Sequence, residues 1–256
     1  MPNELTFSVS TLYSFLLVLT RISSAMIFVP IPGVKNTPDV PKIVFSVCVT
    51  LALMPSWPRP PVADPGTGLL FMWMLSEAAF GLTVGLAVTF LAETFVLAAQ
   101  ILGLQAGYSY ASTIDPTNQT DIGVLQVMTQ LMTGFLFFLF GMDRQVIRIF
   151  SHSLEVYPPG TFHINEPMVV AMQRLGSMMF STGLRLAMPI IALLLLFDLS
   201  LALLGRINAQ LQLLTLAFPV KMLGALAALA GMATLLPKVF EKTAHQTFSM
   251  LTSLFP

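Results

Sequence analysis

The chain has 256 residues, of which 55% are hydrophobic and 9% charged, and its 12 basic and 12 acidic side chains cancel to a net charge of zero. Ordinary soluble domains are roughly a quarter charged, and so few charges could not clothe a soluble chain this apolar without large exposed patches. This composition excludes a soluble globular protein, and the net charge of zero argues against a nucleic-acid binder, which wants a basic face.

The residues ahead of the first apolar run carry Glu4 and no Lys or Arg, which does not read as a cleavable signal peptide. That first run, Leu12–Ile31, contains Arg21 and closes on Pro30-Ile-Pro-Gly33. Ile43–Trp57 follows, short for a membrane span, and holds the single cysteine, Cys48, which excludes a disulfide framework. Leu69–Leu104 is too long instead: as one helix it would measure about 54 Å against a hydrocarbon core of roughly 30 Å. It carries Glu77 and Glu93, together with Gly81-Leu-Thr-Val-Gly85, a spacing at which helices approach closely. Gly103-Leu-Gln-Ala-Gly107 repeats that spacing at its end.

Gly107–Asp121 is polar and turn-rich, overlapped by the charge-free run Thr94–Ile114 and followed by a second, Ile122–Met142. It reads either as a connector at the membrane face or as a segment enclosed by protein. Non-helical backbone survives at membrane depth only when buried in protein or lining a cavity. Asp143, Arg144 and Arg148 then read as a polar turn at a solvated helix end.

Met168–Leu204 holds Arg174, Arg185, Pro189 and Asp198. The two arginines lie about 20° apart around a helix and share one face, as anchors to partner carboxylates or as a cationic stripe. Leu211–Leu236 contains Pro219, Lys221 and Gly224-Ala-Leu-Ala-Ala228. Residues 237–256 form an amphipathic helix, with Phe240, Ala244, Phe248, Leu251 and Phe255 on one side, expected to lie on a partner or at the membrane interface.

Lipid exposure of each intramembrane charge would cost roughly 2.5–3.5 kcal/mol, so these side chains are expected to face protein or water. Loop charges give no clear orientation, since Lys35, Lys42 and Arg206 oppose Arg59, Arg144, Arg148, Lys238 and Lys242. No boundary between globular domains appears, and residues 1–256 read as one helical unit. His152, His163 and His245 lack metal-ligand spacing, and no nucleophile elbow or phosphate loop is present. The expectation is a protein that is not an enzyme and uses no cofactor or metal.

Four places together resemble the FliR/SctT family of type III export-gate proteins. They are Arg21 with Pro30-Ile-Pro-Gly33 and Val40-Pro-Lys42-Ile; Gly107-Tyr-Ser-Tyr-Ala-Ser-Thr-Ile-Asp115-Pro116; Gly205-Arg206-Ile-Asn-Ala209-Gln210-Leu; and Ala217-Phe218-Pro219-Val220-Lys221. Ala209 departs from the proline usual in that family. The resemblance implies an all-α, membrane-associated subunit of bent helical hairpins in a helical assembly. FliP and FliQ would be its direct partners, FlhB and FlhA would lie nearby, and unfolded exported proteins would be its substrate. It implies a place in the bacterial inner membrane at the flagellar basal body, with part of the complex above the lipid. By position, Gly107, Tyr108, Ser109, Tyr110 and Ala111 would form a channel plug, with Asp115-Pro116 as its return turn. Arg21, Glu77, Glu93, Arg174, Arg185, Arg206, Gln210 and Lys221 would serve structural or inter-subunit contacts. The alternatives are an injectisome homologue of the same family, or a transporter or channel using Glu77, Glu93 and Arg185.

Overall fold

The computed structural model describes residues 9–29, 40–57, 65–108, 123–158, 160–207 and 213–254. Among them are eight α-helices and no strand: α1 Val9–Met26, α2 Val40–Ala52, α3 Thr67–Ala106, α4 Val124–Leu139, α5 Met142–Val156, α6 Glu166–Ile207, α7 Leu213–Met232 and α8 Leu236–Leu254. This is an all-α membrane protein. α1, α3 and α6 are each long and apolar enough to cross a membrane, and the number rises to five if two bent helix pairs each count as one span. The expected long run is real: α3 continues unbroken for 40 residues.

The described residues fall into two compact units. The first takes residues 1–90, 137–175 and 244–256. Here α1 packs on the first part of α3 through the glycine pair seen in the sequence. A β-carbon on Gly81 would overlap the Arg21 carbonyl and the Ser24 hydroxyl, and one on Gly85 would lie 2.7 Å from the Ala25 carbonyl. The Thr89 hydroxyl, one turn beyond Gly85, donates to the Phe28 carbonyl at 2.5 Å. Small residues are thus what lets the two backbones meet. The same spacing elsewhere does no such work. Gly103, Gly224 and Gly231 have open space where a β-carbon would be.

α5 corrects one expectation. Asp143, Arg144 and Arg148 do lie at a solvated helix end, but inside the helix and not in the turn before it; they begin an amphipathic helix that buries Met142, Val146, Ile149, Phe150 and Leu154. Its start is set by Gly141, which adopts φ +66° at the N-cap. Apolar residues at i, i+4, i+7, i+8 and i+12 give the helix its buried stripe.

The second unit takes residues 91–136 and 176–243. Its core joins Ala98, Leu102 and Ala106 of α3 to Ala187, Ile190 and Leu194 of α6 and Ala225 of α7. Phe95 and Phe240 meet at 5.5 Å between ring centroids. A β-carbon on Gly183 would lie 2.8 Å from the Thr94 carbonyl, a second close helix contact. An apolar cavity of about 40 Å³ lies among Phe95, Leu102, Thr129, Ile190, Leu229 and Val239.

Helix α8 corrects a second expectation. Phe240, Ala244, Phe248 and Leu251 are all buried within the chain, so its apolar face is consumed by this chain's own packing and not left for a partner or a membrane surface. Phe255 lies outside the described residues.

Candidate functional site

The first unit is organised around two of the charges found within its apolar runs. Arg21 and Glu77 are both fully buried and form an ion pair, the Arg21 Nε–H donating to Glu77 Oε2. The other two guanidinium nitrogens each have a partner as well. Nη1 donates to Ser153 Oγ at 3.0 Å and Nη2 to the Tyr157 carbonyl at 2.9 Å. Glu77 Oε1 accepts the Gly160 N–H at 3.0 Å. The guanidinium carbon also sits 4.7 Å from the centroid of the Phe80 ring, a favourable cation–π position.

Four segments therefore converge on one charge pair: α1, α3, α5 and the turn that follows α5. A buried ion pair repays its desolvation only when further hydrogen bonds support it, and here every guanidinium nitrogen and both carboxylate oxygens have a partner. The turn itself is fixed by Gly160, at φ +84°, where a β-carbon would overlap the indole of Trp73. Ser76 Oγ–H donates to the Phe162 carbonyl at 2.6 Å, holding the same turn to α3. Ser153, Tyr157, Gly160 and Phe80 escaped the sequence reading. Pro158-Pro-Gly160 showed that a turn was there, but no local pattern says that its N–H meets a carboxylate 83 residues earlier.

In the second unit the described part of the polar insert is its root. α3 ends at Ala106, and Gly107 follows with φ +86°, the left-handed conformation that closes helix C-termini. The Tyr108 N–H donates back to the Gly103 carbonyl at 2.9 Å. A β-carbon on Gly107 would lie 3.0 Å from the Phe218 ring, so its smallness is required twice over. The Tyr108 hydroxyl donates to the Met222 carbonyl on α7 at 2.9 Å, and burial pushes the phenol above its usual pKa, keeping it a neutral donor. Phe218 opens the Phe218-Pro219-Val220-Lys221 motif and Met222 directly follows it, so two motifs that lie far apart in sequence meet here.

A family model described as "Bacterial export proteins, family 1" matches residues 12–247. The chain belongs to this family. Several curated relatives carry the name flagellar biosynthetic protein FliR. The Escherichia coli protein is 28% identical over 94% of this chain and 91% of its own length. That of Pectobacterium carotovorum is 27% identical over the same shares, and that of Bacillus subtilis 24% over 81% of each chain. Both the Arg21–Glu77 cage and the Gly107–Tyr108 root lie inside the span this export family covers.

The remaining expected residues of this export-family chain are spread out. Lys221 pairs with Asp198, its Nζ 2.7 Å from Oδ1, which joins α7 to α6. Glu93 is half-buried on α3. Arg174, Arg185 and Arg206 are exposed on α6, whose apolar window is only 17% buried against 67% for that of α3. Ser109, Tyr110, Ala111, Asp115, Pro116 and Gln210 lie outside the described residues.

Tyr108→Phe should lower stability by about 1 kcal/mol, since it removes the donor to a carbonyl that α7 otherwise leaves partly buried. Thermal unfolding of the purified chain in detergent, followed by circular dichroism, checks the value. The helical spectrum should be unchanged below the transition.

Proposed function

We propose that this chain is a core subunit of the flagellar type III protein export gate, shaping and plugging the entry channel for unfolded flagellar proteins. The observation that carries this reading is the export-family match over residues 12–247, together with flagellar relatives aligned along nearly the whole chain. FliP and FliQ are its direct partners in this reading, with FlhB and FlhA adjacent. The location is the inner membrane at the basal body. The chain's own work is mechanical, with energy supplied elsewhere.

The plug is assigned to Gly107–Ala111, and the geometry at its root supports that role. A plug must leave its helix abruptly and be held by one end. A left-handed glycine supplies the exit, and Tyr108, bonded to α7, supplies the hold. A neutral hydroxyl bonded to a carbonyl can be released and remade without exposing a charge in a passage. Small and aromatic residues beyond it can close a passage without burying a charge.

The test is made in cells carrying the complete apparatus. Deleting the gene should abolish motility and leave flagellin absent from the medium. Retained motility with loss of another secreted set would instead mark an injectisome component. Deleting Tyr108–Ser112 should raise ion leak at least several-fold while the assembly still forms. Normal assembly without leak would remove the plug role and leave the export role standing.

A further inference from the structure

Most amphipathic helices sort polar and apolar residues around their axis. At the join of α4 and α5 this chain sorts them along its length. α4, Val124–Leu139, contains no charged residue and no histidine. Phe138 and Leu139, at its end, are 50% and 76% exposed. The helix then breaks, Gly141 takes the left-handed conformation, and charge begins at once. Asp143 lies in the first turn of α5, where it favours the helix N-terminus, and Arg144 and Arg148 stand exposed one turn apart on the outer face. Ile147 is exposed beside them. Among the described residues neither arginine takes part in an ion pair; those pairs are Arg21–Glu77 and Lys221–Asp198.

Apolar side chains followed within one turn by unpaired arginines reproduce the order of depth in a bilayer leaflet. Hydrocarbon comes first, and a headgroup layer some 5–8 Å thick, carrying phosphate, lies beyond it. Arginine suits the phosphate layer in particular. Its stem tolerates apolar surroundings, and its planar fork binds phosphate oxygens two at a time.

The geometry points to an acidic-phospholipid site at the α4–α5 elbow. Phe138 and Leu139 sit among the acyl chains, and Arg144 and Arg148 hold the headgroups of the same leaflet. The assignment rests on the membrane class of the chain and not on the export-gate reading. Failure of one leaves the other in place.

The full chain, extracted with its membrane assembly in mild detergent, is offered phosphatidylglycerol and phosphatidylcholine in equal amounts, and bound lipid is counted by native mass spectrometry. Each arginine near an anionic surface is worth roughly fivefold in binding, so Arg144→Gln with Arg148→Gln should cut phosphatidylglycerol retention at the elbow by about 30-fold. Arg144→Lys with Arg148→Lys should keep most of it, which separates charge from folding. Inorganic phosphate and glycerophosphoglycerol at millimolar concentration should not displace the lipid. A photoreactive benzophenone residue at position 139, in an otherwise native chain in its own membrane, should form adducts with lipid. Three results would overturn the assignment: no preference for the acidic lipid or an unchanged one in the glutamine variant, displacement by the soluble headgroups, or adducts at position 139 with polypeptide instead of lipid.

Discussion

Glu77→Ala will deplete this chain from membranes and abolish its export function, through the fold and not through any chemistry at the carboxylate. The substitution leaves the Arg21 guanidinium buried with no counter-charge and the Gly160 N–H with no acceptor. Breaking one partner out of a buried pair costs roughly 3–5 kcal/mol, a large part of the stability of a typical domain. Immunoblotting of membrane fractions should show the chain reduced to a small fraction of its normal level, and Arg21→Ala should act likewise. Exchanging the two, Arg21→Glu with Glu77→Arg, should not restore it. The cage has a direction: a carboxylate at position 21 would face the Tyr157 carbonyl, and a guanidinium at position 77 would face the Gly160 N–H. The double replacement Arg21→Met with Glu77→Met should recover part of the loss, since no bare charge remains. The Gly160 N–H and Tyr157 carbonyl would still be unpaired, at about 1–3 kcal/mol each. Full recovery in the exchanged variant would show that charge alone, and not this cage, stabilises the unit.

Gly81→Ala is expected to match that effect by adding a single methyl group. The new carbon would fall on the Arg21 carbonyl and Ser24 hydroxyl of α1, and a backbone atom cannot rotate aside. Overpacking of this kind typically costs 1–3 kcal/mol and occasionally more; here the upper end, about 3 kcal/mol, applies because α1 must move as a body. That movement would also disturb Arg21, whose carbonyl Gly81 touches and whose side chain anchors the cage. Gly103→Ala is the matched comparison. It lies in the same helix with open space at the β-carbon, and should be neutral or stabilising by up to about 1 kcal/mol. Detergent-purified chain heated under circular dichroism separates the two. Equal midpoints for both variants would show that the α1–α3 contact is looser than described.

Some of this was legible from the residues alone, because the signals concerned are local. Hydrophobic content and sparse charge marked the membrane class, and runs of apolar residues located the helices now seen as α1, α3, α4, α6 and α7. The turn at Gly107 was expected from a glycine between an apolar run and a polar insert, and it is left-handed. The scattered motifs pointed to the export family, which the match over residues 12–247 shows.

What the sequence could not decide was which surfaces meet. Three glycine patterns share one spacing, yet only Gly81 and Gly85 hold two helices together, since spacing is a property of one helix and contact a property of two. The amphipathic C-terminal helix was expected on a partner; the fold brings its apolar face into the chain's own core, which periodicity cannot foresee. Arg21 and Glu77 stood out as charges too costly to leave in lipid, and that cost required a partner for each without saying which. They are 56 residues apart in the chain, and only the packing of α1 on α3 makes each the answer to the other.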